Sequence, residues 1–503
     1  MAPTPEIVRR FTGEPDGGGW YAMISRPRTG SFGAMSQVAM IAGFTAVIIA
    51  LNMLTISTLG QGPRTIASLI IALSAAVCWL WLAGLDSTPP VMPFMMLIYS
   101  AYYAAPVFLL AKLVPHPYGP RFPDDLVERA LAYTLIGLSC MVAGYYGPHN
   151  RPIRLLIPKP SFRWKNVGLL SMWGKIFASV GLFFNLAGSR ISLPGPLAQL
   201  GAYANDLSFI GIFMLFALQL VGKLDRASIL ILWCLLIPGR FVSGLASGAT
   251  GQGLMVALTA ALVWATIRRR MPWTVFFAGA LVFVIMRPVE AEYRAMTWPP
   301  GPYSDASELE KIALLGRLSL DAITGTPQEH RAMLELSAGR LAAVQPFATV
   351  LRATPDSVPF WEGETYYPIL FKPIPRFLFP DKPEEVSGQT FGHRYGLLDA
   401  RNLYTSINLP QLVELYVNFG LGGILVGMFI FGTAYRLLCS LLFHPAMGFG
   451  NLVAGLYLAG KLYGIESAAS MAAGGLFWGF VTILLIHLVI DTGEAISSAA
   501  VPA

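Results

Sequence analysis

Residues 366–423 read YYPILFKPIPRFLFPDKPEEVSGQTFGHRYGLLDARNLYTSINLPQLVELYVNFGLGG, and the passage from the first half of this stretch to the second decides the fold. The first half carries Pro368, Pro373, Pro375, Pro380 and Pro383. Proline fixes φ and lacks an N–H, so this density excludes a regular helix or a central strand. The second half becomes the apolar run of a helix entering a bilayer. A long, charged, structured loop between apolar spans is where a membrane protein usually holds its chemistry.

Working outward, the 503-residue chain is 55% hydrophobic and 13% charged. Apolar runs of about 18 to 25 residues, the length a bilayer requires, recur along it. They predict an all-α, polytopic membrane protein with about twelve transmembrane helices, near 37–59, 65–84, 91–112, 127–146, 167–187, 205–222, 227–247, 251–268, 272–288, 412–436, 448–463 and 471–490. The organisation expected is a cytoplasmic tail (1–36), nine spans (37–288), a large, partly helical outer loop (289–411), three more spans (412–490) and a second cytoplasmic tail (491–503). The first run is too long and too far from the N-terminus for a cleaved signal, so it reads as a retained anchor.

Net charge is +7, unevenly spread. Residues 288–411 hold 11 Lys/Arg against 15 Asp/Glu, net −4, which leaves 24 against 13, net +11, for the remainder. The basic excess sits in the tails and short turns: Arg9, Arg10, Arg26 and Arg28, then Arg151, Arg154, Lys159, Arg163 and Lys165, Lys223 and Arg226, Arg268 to Arg270, and Arg436. All fall on one side of the predicted topology, which the positive-inside rule makes cytoplasmic, so the large loop faces outward. This pattern is membrane electrostatics and not a nucleic-acid footprint. Cys78, Cys140, Cys234 and Cys439 lie in apolar runs, spell no disulfide framework or zinc site, and read as buried small hydrophobes.

Two helices are predicted within the loop. Ser307 with Glu310 has capping-box spacing before an apolar run, and Thr326-Pro327-Gln328-Glu329 supplies a cap, a first-turn proline and a third-position acid. The second helix should reach about Val344, with Pro346 interrupting it.

Arginines collect on the outer side: Arg240 in PGRFVSG, Arg287, then Arg294, Arg340, Arg352, Arg376 and Arg394. A guanidinium is always charged and binds phosphate oxygens bidentately, so Arg240, Arg294, Arg376 and Arg394 are candidate ligands for a diphosphate. Surface pairing with the acidic loop accounts for loop arginines equally well. Arg240 differs, because a charge at the edge of an apolar span is costly unless it faces a polar cavity. Two residues are candidate general bases. Glu414 follows Asn408 and Pro410 at the start of span ten, where a carboxylate complements the helix dipole and where partial burial suits a base. His393, flanked by glycine in a stretch read as non-helical, has a suitable ordinary pKa. Asp124 and Asp125 look like the N-terminus of span four, and the acid-free first outer loop, Gln61 to Arg64, argues against a metal site. Lys175, Lys461, Glu466 and His487 do not line up as an ion relay.

PGRFVSG, the single large late loop, and IPRFLFPDKPEE with FGHRYG followed by LVELYVNFGLGGILVG together resemble the O-antigen polymerase and O-antigen ligase superfamily, in particular its exopolysaccharide polymerase branch, over roughly the last 280 residues. The resemblance implies a GT-C-like membrane glycosyltransferase without cofactor. It would join undecaprenyl-diphosphate-linked oligosaccharide repeats on the outer face of a bacterial inner membrane. Arginines would hold the diphosphate, Arg240 by position and Arg294 beside it. Membrane lipid and a chain-length regulator or export protein are the implied partners. Where ligase members carry a His-Asn pair this chain reads Thr405-Ser406-Ile407-Asn408, leaving His393 and Glu414 for the base. The competing readings are a ligase with another acceptor and a flippase, which has an equal claim to twelve spans.

Overall fold

The computed structural model describes residues 58–110, 113, 121–187, 195–248, 250–298, 300–375, 378–379, 381–383, 385–402, 405–444 and 446–499. Every regular element among them is helical. Among the described residues nine helices are long and apolar enough to cross a membrane: α1 (Gln61–Leu82), α2 (Val91–Leu109), α3 (Asp124–Tyr146), α5 (Val167–Leu186), α7 (Arg226–Ala246), α8 (Thr250–Arg268), α9 (Trp273–Thr297), α14 (Gln411–Leu442) and α16 (Ala469–Ile496). They make the chain a multi-pass membrane protein. Between them lie α4 (Asn150–Leu156), α6 (Gly195–Leu220) and α15 (Phe449–Leu462). The long loop between α9 and α14 contributes α10 (Glu308–Thr324), α11 (Pro327–Leu341), α12 (Val344–Ala353) and α13 (Ser387–Arg394).

Several boundaries differ from the sequence reading. The run at 37–59 lies almost wholly outside the described residues. The run at 448–463 is the 14-residue α15, short for a bilayer. α9 continues past 288 to Thr297, with Pro288 inside it, because Glu290 pairs with both Arg287 and Arg294 at helical spacing. Both capping boxes form. The break after α11 falls at Ala342 and Ala343, and Pro346 occupies the first turn of α12, where its missing N–H costs nothing. Cys78 and Cys439 are buried, but Cys140 is partly exposed and Cys234 exposed on the bundle's surface. In a membrane-spanning helix such a surface is apolar lipid contact, which burial within the protein does not distinguish by sequence.

The centre of the bundle is the crossing of α3 and α14. A Cβ on Gly144 would strike the carbonyl of Phe429, and one on Gly432 that of Met141, so glycine alone lets the two backbones approach. At one end of this crossing, Gly60 donates to Asp124 Oδ2 at 2.7 Å, joining the starts of α1 and α3. At the other end the carboxylate of Asp86, 3% exposed, gathers Thr88, Tyr146 and Arg436, while Arg269 donates to the carbonyls of Asp86 and Thr88. The basic turns therefore share one face, and the loop helices lie at the opposite one. α12 packs on α3 and α14, and Arg340 of α11 grips Glu466, in the turn before α16, through two hydrogen bonds.

Candidate functional site

α14 starts at Gln411 after Pro410, and Glu414 falls in its first turn. Asn408 does not cap this helix; its side chain donates to Glu466 instead. Glu414 is completely buried. Its Oε2 accepts from the backbone N–H of Ala469 at 2.6 Å, taking one of the first-turn donors that α16 leaves unpaired. Its Oε1 is buried with no well-formed hydrogen bond. Thr365 is the hydroxyl within reach of the carboxylate. That hydroxyl already accepts from Asn418 Nδ2 at 2.9 Å, which leaves its proton free to point at Glu414.

The cover over Glu414 is built from a break in α14. Gly420 has φ +61° and ψ −151°, and a Cβ there would come within 3.2 Å of the Phe360 ring. The helical ladder stops, and Val417 C=O accepts instead from Trp361 N–H at 2.9 Å. Asn418 Oδ1 accepts from Gly363 N–H at 2.9 Å, two residues further along the same loop segment. Residues 360–366 are thus tied to the first turns of α14, directly over the acid.

A second acid stands beside the first. Glu385 accepts from Ser470 at 2.6 Å and from Ser387 at 2.9 Å and pairs with Lys372 at 2.5 Å. Burial pushes its carboxyl up, but the Lys372 and serine hydrogen bonds outweigh it and hold the group below the ordinary range. Adjacent residues of one helix start, Ala469 and Ser470, therefore hold Glu414 and Glu385, close enough for the two charges to repel. Lys372 also lays its stem on Gly474, and its carbonyl accepts from Trp478.

Below Glu414, α14, α15 and α16 flank a half-open apolar groove of about 650 Å³ that Gln411 and Ala469 line, together with residues such as Leu438, Leu458, Leu476 and Phe480. The acid's own helix turn and its hydrogen-bond donor thus form part of the wall of a lipid-like space.

The described candidate arginines are each held by different partners, and Arg294 lies within electrostatic reach of Arg287 and Arg340. Arg240 is 1% exposed; its Nε donates to Ser208 at 3.0 Å, Phe209 lies 4.6 Å away, and one terminal nitrogen is buried without a partner. Nearby Asp206 of α6 binds Lys461 at 2.7 Å and Tyr457 at 3.0 Å. Arg294 is held by Glu290 and by the carbonyl of Gly248. Arg394 makes a two-pronged pair with Glu364 at 2.8 and 3.0 Å. Arg376 lies outside the described residues. His393 is not in an irregular stretch: it occupies the last turn of α13, half buried, and no hydrogen bond ties it to Glu414 or to any of these arginines. Among the described residues no three His, Cys, Asp or Glu side chains converge as metal ligands.

Sequence reasoning missed Asp86, Asp206, Lys372 and Glu385. Lys372 and Glu385 had a usable signal, an opposite-charge pair flanking the proline cluster. The two aspartates sit in or beside apolar runs and acquire their partners through tertiary packing alone.

A family model described as a domain of unknown function (DUF8712) matches residues 169–498. That is more than half of the chain, and the chain belongs to this family. No curated protein and no solved structure matches it.

Proposed function

We propose that this DUF8712 member is a polymerase that joins undecaprenyl-diphosphate-linked oligosaccharide repeats. One observation carries the reading: a fully buried carboxylate, Glu414, has an oxygen without a well-formed hydrogen bond, beside residues Gln411 and Ala469 that line an apolar groove and under a loop segment anchored at Trp361 and Gly363. Buried acids left short of hydrogen bonds are costly and concentrate at functional sites. Glu414 takes the proton from the acceptor sugar's hydroxyl. The hydroxyl oxygen bonds to the anomeric carbon, and the bond from that carbon to the phosphate oxygen breaks, its electron pair leaving with the diphosphate. Arg240 stabilises the departing charge, with Arg376 and, once it exchanges Glu290 for phosphate, Arg294 as further ligands, and His393 with Arg394 orients the sugar. The prenyl chain occupies the apolar groove. For acceptor to reach Glu414 the segment 360–366 swings away, with Gly363 serving as a hinge.

In this reading the protein has about twelve spans in a GT-C-like arrangement in a bacterial inner membrane. Both termini are cytoplasmic and the loop of 289–411 is periplasmic. The test is the lipid-linked glycan that accumulates in cells lacking the chain. Single repeats on the outer leaflet support polymerisation, and accumulation on the inner leaflet indicates a flippase. Full-length polymer left unattached indicates a ligase.

A further inference from the structure

A separate cleft opens on the loop face, about 410 Å³ in volume and lined by Pro359, Phe360, Trp361, Glu362, Glu364 and Arg394 among others. Its size falls within the range of small-molecule sites, about 300 to 1,000 Å³. We infer that this cleft binds a neutral saccharide ring.

The backbone points to a built feature and not an accidental gap. Glu362 has φ +51°, a left-handed conformation that a residue with a Cβ adopts at a cost. Its neighbours on both sides are fixed, Trp361 N–H on Val417 C=O and Gly363 N–H on Asn418 Oδ1, so the strained residue is held in place by the same bonds that cover Glu414. The Glu362 side chain is exposed and makes no hydrogen bond or ion pair among the described residues.

The lining suits a sugar. Arg394 spends two of its donors on Glu364, leaving three of the five a guanidinium carries. Its guanidinium lies 4.5 Å from the centre of the Trp361 ring, and Trp361 in turn stacks on Tyr395 at 6.2 Å, so the donor fork is rigid. Glu362 and Glu364 supply acceptors for hydroxyls. Phe360, about a third exposed at 36%, offers an apolar edge for the C–H face of a ring. Two glutamates and one arginine leave the cleft at net −1, which opposes a uronic acid or a phosphate. As an acceptor subsite the cleft rests on the polymerase reading, because Thr365 next to it reaches Glu414; as a saccharide site it stands on its own lining.

The test uses the purified full chain and a panel of neutral trisaccharides, with glucuronate-containing and phosphorylated ones alongside, read by saturation transfer to the sugar protons. At least one neutral trisaccharide should bind, and the acidic ones should not. Arg394→Ala and Glu362→Gly should each weaken binding about tenfold or more, as loss of a hydrogen bond to a charged group implies. Glu362→Gly should keep or raise the melting temperature, since glycine accepts this φ freely. A panel that gives no binding, preference for the acidic sugars, or equal binding by both cleft variants overturns the proposal. Sugar binding at the cleft in a protein whose absence causes no lipid-linked glycan to accumulate would sink the polymerase reading alone.

Discussion

Two buried carboxylates stand at opposite ends of the α3–α14 crossing, and they are treated in opposite ways. Asp86 is 3% exposed, and its oxygens accept from Thr88 N–H, Thr88 Oγ1, Tyr146 and Arg436. Glu414 is 0% exposed, accepts one well-formed bond from Ala469, and keeps Oε1 unsatisfied. On the proposed reading, the same chemical group is a rivet in one place and a held reactant in the other. A carboxylate whose lone pairs are filled by the fold has nothing left for a substrate. One left short is destabilising, and it makes sense where a proton must be received.

The comparison can be broken at several points, taken from the largest effect to the smallest. Asp86→Ala strands the Arg436 guanidinium and should cost about 3 to 5 kcal/mol, seen as a large fall in melting temperature and detergent-stable yield. Glu414→Gln, by contrast, should melt at or above the wild-type temperature; equal losses in both variants would erase the distinction. Gly144→Val should force α3 from α14 and cost about 1 to 3 kcal/mol by overpacking, with an unchanged melting curve contradicting the close crossing. Thr326→Ala removes one cap and should cost about 1 kcal/mol, visible as faster proteolysis within α11 alone.

The smallest effect concerns pH. Glu385 is held below the ordinary glutamate value of 4.5, so it binds fewer protons folded than unfolded. Its contribution to docking the loop is therefore complete above pH 4.5 and is lost as pH falls through the lowered value. Proteolysis of the segment around Lys372 should stay constant from neutral pH to about that point and rise below it. Loosening between pH 5 and 8 would show that another group holds the loop.

The sequence exposes what local chemistry decides. The capping boxes at Ser307 and Thr326, the apolar runs and the start of α3 at Asp124 are all readable, because a cap or a span is specified by neighbours a few residues away. The position of Glu414 at a helix start was equally legible. Its missing hydrogen bond was not, since that depends on Ala469, Thr365 and a break at Gly420 hidden inside an apolar run. Arg294 and Arg394 looked free for phosphate, yet Glu290 and Glu364 occupy them; pairing across four residues could have been anticipated for the first, and across thirty could not. For Arg240 the cost of a charge in an apolar run predicts a polar cavity, and the fold instead buries it against Phe209 with one terminal nitrogen left without a partner.

The central claim is that Glu414 is the base of a glycosyl transfer, and reconstitution tests it most directly. Purified chain in lipid bilayers is given the lipid-linked repeats that accumulate in cells lacking it, and product length is read on a gel. The account predicts a ladder from wild type and, with Glu414→Gln folded and stable, a rate lower by about 100 to 10,000-fold. A glutamine variant that builds the ladder at the wild-type rate, or a wild type that builds none, would contradict it.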